Sequence, residues 1–212
     1  MRAHGAMARA VRSGVIARTE TGLADAPDDV LRTAAILGDR EAFEVIVSRY
    51  GPQLYRYGRR MLSTESDVAD VVQETFVAAW RQLESFRGAS SLRTWLFAIC
   101  SRKIVDTRRV KRAQPIDDQL LEALPSAAAV SDPFTAASNA AFLGALDAAL
   151  AELPARQRAT WVMREVELMT FPEIAQVLQL SPDGVRGHHH RATATLHHRA
   201  TATLRIRLRR WQ

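Results

Sequence analysis

Cysteine occurs once in the 212 residues, at Cys100. No internal disulfide can form, and such usage fits a reducing cytoplasm. Set among Phe97, Ile99 and Ile104, the thiol reads as a small buried hydrophobe and not as a nucleophile. Nowhere do apolar residues run uninterrupted for the roughly 18 positions that a membrane span requires, so no membrane insertion is expected. Residues 1–27 scatter Arg2, Arg9, Arg12 and Arg18 among alanines without the apolar stretch of a secretory signal, and read as a disordered N-terminal extension. Period-two alternation is missing at any useful length, which argues against a sheet. The chain also lacks a Gly-rich phosphate loop and a recognisable nucleophile-base constellation. It is therefore expected to be no enzyme and to need no cofactor.

Lysine is nearly absent, since Lys103 and Lys111 are the only two, and the net charge of +6 rests on arginine. Arginine forks bind phosphate and guanine bidentately, which favours nucleic acid, although a coding bias toward Arg and Ala accounts for the composition equally well. Position is more telling than the total. Arg93 to Arg112 holds seven basic residues against Asp106 alone, and Gly184 to Gln212 holds seven arginines and no acid. Between them, residues 113–139 carry Asp117, Asp118, Glu122 and Asp132 with no basic residue. Two basic modules are thus joined by an acidic, proline-interrupted linker.

Helical periodicity covers most of the remainder. Asp28 to about Leu62 reads as two helical pieces, broken near Gly38 and softened at Gly51-Pro52. A third helix starts near Ser63 or Ser66 and runs to about Phe86. It buries Val68, Val71, Val72, Thr75, Phe76, Ala79 and Leu83 and leaves an acidic edge outside. A fourth, from about Ser91 to Arg112, buries Leu92, Leu96, Ile99 and Val105. After the linker, helices are expected over residues 140–152, 155–167 and 171–178, and from Pro182 to about Leu196. Thr170 with Glu173 forms a capping box, and Ser181-Pro182 supplies an N-cap and an N1 proline, so the last pair reads as a helix-turn-helix. The fold class is all-α, with two small helical domains joined by a flexible linker.

Three groups of residues carry chemistry. Asp70, Gln73 and Glu74 project side by side, an edge suited to basic residues on a partner helix. Phe86, Arg87, Gly88, Ser90, Ser91 and Trp95 combine stacking planes with a small-residue turn, materials for holding an unstacked base. Pro182 to Leu196 is a candidate recognition helix for a major groove. The five histidines from His188 to His198 lie one, two, or seven and more residues apart, never three or four, so no metal site is expected.

Asp70-Val71-Val72-Gln73-Glu74-Thr75-Phe76, Phe86-Arg87-Gly88-Ala89-Ser90-Ser91-Leu92-Arg93-Thr94-Trp95-Leu96, Leu153-Pro154-Ala155-Arg156-Gln157-Arg158 and Ile174-Ala175-Gln176-Val177-Leu178 follow one another in an order that resembles the extracytoplasmic-function sigma factors, specificity subunits of bacterial RNA polymerase. The resemblance implies a cytoplasmic protein with sigma region 2 at 28–112, an acidic linker at 113–139, region 4 at 140–198 and a basic tail at 199–212. It further implies that Asp70, Gln73, Glu74, Phe76 and Trp80 dock on the clamp helices of the RNA polymerase core, whose flap is a second contact. The Phe86 to Trp95 loop would capture a flipped base of the −10 element of promoter DNA, with Arg102 and Lys103 touching the same element and Arg108 and Arg109 holding phosphates. Arg164, Arg186, Gly187, His190 and Arg191 would contact the −35 element. An anti-sigma factor is the implied regulator.

At positions 187 and 188 the usual Ser and Arg are replaced by Gly187 and His188, and His189 stands where an apolar residue is common; Gly187 weakens that helix by about 1 kcal/mol relative to Ala. His189 to Leu196 is repeated without change at 197–204 and reads as a duplication with no separate role. The rival readings are a stand-alone helix-turn-helix regulator binding an operator and, more distantly, a histidine-rich metal-binding protein.

Overall fold

The computed structural model describes residues 22–113 and 143–209, and these contain helices and no strand. The first 21 residues, the linker segment 114–142 and the last three residues, with the expectations that fall on them, lie outside the described residues.

Helix α1 (Asp28–Ile36) stops at Gly38, whose φ of +92° turns the chain in the left-handed region that suits glycine. Asp39 then caps α2 (Arg40–Met61) by accepting from Ala42 N at 3.3 Å. Gly51-Pro52 does not break α2, because Pro52 sits on the exposed face, where water can take the carbonyl that the ring frees. Helix α3 (Glu65–Gln82) is capped by Thr64 and not by Ser63 or Ser66, and a short 3-10 turn (Leu83–Ser85) leads out of it. Helix α4 (Leu92–Ala113) completes the N-terminal module. Of the α3 stripe, Val68, Val71, Thr75, Phe76, Ala79 and Leu83 are core, and Val72 is half-buried at its margin. At the crossing of α2 and α3, a Cβ on Gly58 would lie 3.1 Å from Val68 Cγ1, so the absence of a side chain permits the close approach.

Along α4 the register differs from expectation at one point. Val105 is 63% exposed and its neighbour Ile104 is buried, because the i+4 step from Cys100 brings Ile104 to the core face. Cys100 is fully buried, and burial pushes its thiol up to about 12, so it is held neutral.

The C-terminal module consists of α5 (residues 143–151), α6 (Ala155–Trp161, continued by a wider π turn over Val162–Val166), α7 (Phe171–Leu178) and α8 (Pro182–Arg209). The capping box between Thr170 and Glu173 is formed in both directions, and Ser181 Oγ accepts from Gly184 N at 3.0 Å. Helix α8 continues through both copies of the repeated octapeptide and does not end near Leu196. The copies are not equivalent. Arg191 is exposed, whereas Arg199 pairs with Glu152 of the same module; Ala192 is fully buried, whereas Ala200 is exposed. Eight residues rotate a helix by about 80°, which accounts for the difference.

The two modules abut. Helix α7 packs on α4, and the buried apolar residues of both form one continuous core.

Two carboxyls report on the folded state. Burial pushes Glu173 up, but hydrogen bonds from the Thr170 side chain and backbone, the charge of Arg93 and a bond from Thr94 bring it below the ordinary value of 4.5. Burial likewise pushes Asp67 up, and Lys111 and Thr64 more than offset it, leaving it below 3.8. Depressed folded values mean that this stabilisation is complete above the unfolded values and is lost as pH falls through the folded ones. Urea unfolding should therefore show stability declining from about pH 5 to about pH 3, with Glu173→Gln flattening part of the decline. At neutral pH, Gly58→Leu should lower stability by about 1–3 kcal/mol through overpacking against Val68.

Candidate functional site

The acidic edge lies on the outward side of α3. Asp70, Gln73 and Glu74 are exposed, and the same strip continues through Val77 and Trp80, which are 44% and 41% exposed. Two large apolar side chains left in water beside three acceptors make a strip with both contact area and charge. Trp80 meets Phe43 of α2 edge-on at 4.8 Å between centroids, and Arg40, Phe43, Glu44 and Trp80 line an open groove of about 270 Å³. Arg40, Phe43 and Glu44 are additions to the sequence-derived set; only the crossing of α2 and α3 brings Phe43 out to Trp80. Phe76 is a correction. It is 8% exposed and packs edge-on against Phe43 at 6.4 Å, so its ring supports the helix from inside and does not belong to the strip.

The turn between α3 and α4 holds the aromatic pair together. Phe86 stacks on Trp95 with centroids 4.6 Å apart and planes 21° from parallel, and both rings are half-buried. Arg32 of α1 donates to the Phe86 carbonyl at 3.0 Å and lies 5.9 Å from its ring, so the near end of the turn is fixed by a distant helix. Beyond it Arg87, Gly88 and Ala89 are exposed, with Gly88 at φ +73°. Ser91 serves the fold, since its Oγ accepts from Thr94 N at 3.1 Å and caps α4. The arrangement is a preformed two-ring platform with an exposed guanidinium and bare backbone beside it, a surface on which a base can stack.

Of the cations on α4, Arg102 and Arg109 are exposed. Lys103 donates to Glu74 at 2.9 Å, which joins the acidic strip of α3 to the basic face of α4. Arg108 turns the other way. Its Nη1 is buried without a partner, and its charge bears on Arg158 of the C-terminal module.

In the C-terminal module, Arg164 stacks over Phe171 at 4.8 Å and donates to the Met169 carbonyl at 3.0 Å, which ties one edge of its guanidinium to the helix-turn-helix. Arg186 pairs with Asp183 one turn back on the exposed side of α8. Gly187 lies beneath the Arg191 guanidinium; a Cβ there would be 3.4 Å from Nη1, ordinary contact. His190 and Arg191 are exposed. Burial, followed by the charges of Arg191 and Arg156, pushes His188 below its usual value, so it is neutral at pH 7 and adds no charge to this face. His189 points inward, its Nε2–H donating to Glu165 Oε1 at 2.7 Å and its ring packing edge-on against Phe171. Its place at an ordinarily apolar position was the available signal for that role. Among the described residues, no group of three His, Cys, Asp or Glu side chains is placed to hold a metal ion.

Comparisons with known proteins follow the same division. Residues 46–114 match the model for Sigma-70 region 2, and residues 143–196 match that for Sigma-70, region 4. The RNA polymerase sigma factor CnrH of Cupriavidus metallidurans is 34% identical over 175 residues, spanning 80% of this chain and 92% of the relative. The ECF RNA polymerase sigma-E factor of Escherichia coli is 30% identical over 172 residues, 78% and 90% of the respective chains. Among solved structures, CnrH in complex with the cytosolic domain of CnrY superposes with a TM-score of 0.64 at 32% identity, covering 82% of this chain and 97% of that one. No described helix is long and apolar enough to cross a membrane.

Cap and platform are separable by measurement. Ser91→Ala should cost about 1 kcal/mol in urea unfolding through loss of the α4 cap. Arg87→Ala, on an exposed side chain of the same turn, should stay within about 0.5 kcal/mol.

Proposed function

Because the chain belongs to the extracytoplasmic-function sigma factors and so directs promoter-specific transcription initiation by RNA polymerase, we propose the following division of labour among its surfaces. The α3 strip of Asp70, Gln73, Glu74 and Trp80 meets the clamp helices of the polymerase core. The observation that carries this is the clean partition of α3: Val71, Thr75 and Phe76 are drawn into the core while three neighbouring acceptors stay in water beside an exposed indole. A basic partner helix would gain charge pairing from the acceptors and apolar contact from Val77 and Trp80.

The Phe86–Trp95 platform, with Arg87, Gly88 and Ser90, receives a base displaced from the −10 element. Stacking on such a platform supplies about 1–3 kcal/mol per base, enough to offset part of the cost of unpairing. Arg102, Lys103 and Arg109 face the same stretch of DNA as phosphate and base-edge contacts. Lys103 becomes available when Glu74 turns to the polymerase. The −35 element is read by α8 through Arg186, His190 and Arg191, with Gly187 seated beneath the Arg191 guanidinium and Arg164 positioned by Phe171. Because the CnrH structure was solved with the cytosolic domain of CnrY, a protein regulator of the anti-sigma kind is proposed for this chain as well.

A free-standing operator-binding regulator would use α7 and α8 alone. It would leave the match over residues 46–114, the α3 strip and the ring platform without a purpose. The sigma reading gives each of them one, and assigns the chain a binding role with no catalysis of its own.

Run-off transcription with purified core polymerase tests the proposal. Promoter-dependent RNA should appear only when the chain is added, and Asp70→Arg with Glu74→Arg should abolish co-elution with core. Phe86→Ala should lower open-complex formation by roughly tenfold while leaving core binding intact. Core binding unaffected by the charge reversals would overturn the assignment of α3.

A further inference from the structure

The octapeptide His189 to Leu196 and its copy at 197–204 form a strong sequence feature to which the promoter-reading surfaces give no use. Helix α8 runs through both without a break, while the match to Sigma-70, region 4 ends at residue 196. The copy therefore carries the helix past the matched region.

One side of α8 is taken up by packing. Val185 and Ala192 are fully buried, Leu196 packs on the same core, His189 is held by Glu165 and Arg199 by Glu152. The opposite side is open, and there the copying has a result that the eight-residue period hides. Because the octapeptide begins with two histidines, the first histidine of the copy falls seven residues after the second histidine of the original. Seven residues are close to two full turns, so His197 stands within about 20° of His190 around the helix, and His198 within about 20° of Arg191, each pair about 10.5 Å apart along the axis. All four residues are exposed. The side of α8 that carries Arg186, His190 and Arg191 thus has a second tier, made of His197 and His198.

The chemistry of the second tier suits phosphate. From Gly184 to Gln212 there is no acid. The acids brought to α8 by its own first turn, by α6 and by the residue after α5 are engaged, Asp183 by Arg186, Glu165 by His189 and Glu152 by Arg199. Burial, then Arg191 and Arg156, push His188 down and leave it neutral, whereas the rings of His190, His197 and His198 make no hydrogen bond or ion pair among the described residues. A recognition helix lays its N-terminal residues over base edges in a major groove about 12 Å wide. A tier about 10.5 Å further along the same face clears the floor of that groove and arrives at its wall, which is a row of phosphates. Imidazole N–H groups donate to phosphate oxygens, one when the ring is neutral and two when it is protonated.

We propose that His197 and His198, supplied by the copied octapeptide, are a phosphate-binding extension of α8 that grips the DNA backbone beside the −35 element. This rests on the sigma reading of α8. Arg199 serves the extension through its pair with Glu152, which ties the copied segment to the rest of the module and gives the two rings a fixed mount. Histidine is the side chain that gains charge between about pH 8 and pH 5, so the grip tightens as pH falls, while Arg186 and Arg191 keep their charge throughout.

The test follows binding of the full chain to a labelled mixed-sequence duplex of about 30 base pairs by fluorescence anisotropy, over a range of salt, at about pH 7.5 and about pH 5.5. Each phosphate neutralised adds about 0.9 to the slope of log affinity against log salt. The wild-type slope should steepen toward the lower pH. A chain with His197→Gln and His198→Gln should lose about 1–2 of that steepening and bind roughly tenfold more weakly at about pH 5.5. His197→Arg with His198→Arg should bind tightly at both pH values. Both positions are exposed, so helical circular dichroism should be unchanged in every variant. A glutamine variant with the wild-type slope and affinity at the lower pH would overturn the proposal. Arg191→Ala separates the extension from the reading beneath it. Weaker binding of Arg191→Ala with no effect of the glutamines removes the extension and leaves α8 in the groove; the reverse result keeps the phosphate contact and takes the first tier out of the groove.

Discussion

Helix α4 is buried over most of its first half and still presents exposed arginines, and the rest of the molecule is arranged around that demand. Leu92, Thr94, Leu96, Phe97, Ile99, Cys100, Ser101 and Ile104 are all buried, which is most of the circumference of its first half. One side packs on α2 and α3, where Tyr57 shares a buried hydrogen bond with Ser101 at 3.1 Å; another receives α7. What remains open is a narrow arc through Trp95, Arg102 and Arg109. Burying an apolar side chain of this kind is worth about 1.5–3 kcal/mol, so the helix that carries the arginines proposed to face DNA is also among the most firmly held. A rigid mount for the side chains proposed to hold an unstacked base follows from that packing.

Electrostatics is layered onto the same scaffold. The acids of α3 and the bases of α4 lie on adjoining helices and meet at Glu74 and Lys103 and at Asp67 and Lys111. Exposed pairs of this kind contribute little to stability, on the order of 0–1 kcal/mol. In the proposed function their value lies in keeping opposite charges at the ready, the acids for the polymerase and the bases for DNA.

Much of this was legible from residue spacing. The α3 stripe, the capping box at Thr170, the Ser181-Pro182 start of α8 and the break at Gly38 are local features, written in periodicity and in a few capping residues. What escaped was set by contacts between elements distant in sequence. Val105 and Ile104 are adjacent and both apolar, and only the packing partner decides which of them turns inward. Phe76 carries a ring wherever it points, and Phe43 decides that it points in. Arg108 belongs to a run of bases that looks uniformly exposed, yet in the folded chain its Nη1 is buried and its charge bears on Arg158 of the second module. Glu167 is buried and had no signal at all, since nothing in Arg-Glu-Val-Glu-Leu distinguishes a buried carboxylate from a solvated one. The site was therefore readable where one helix presents it and unreadable where two modules share it.

The duplicated octapeptide shows what helical geometry does with copied text. Inserted into a sheet, eight extra residues would preserve the facing of every side chain; in α8 they change the azimuth of each letter, so that the arginine that looks outward in one copy becomes a strut to Glu152 in the next. Duplication within a helix is thus a rotation as much as an extension, and a chain can acquire a new brace from words it already contained.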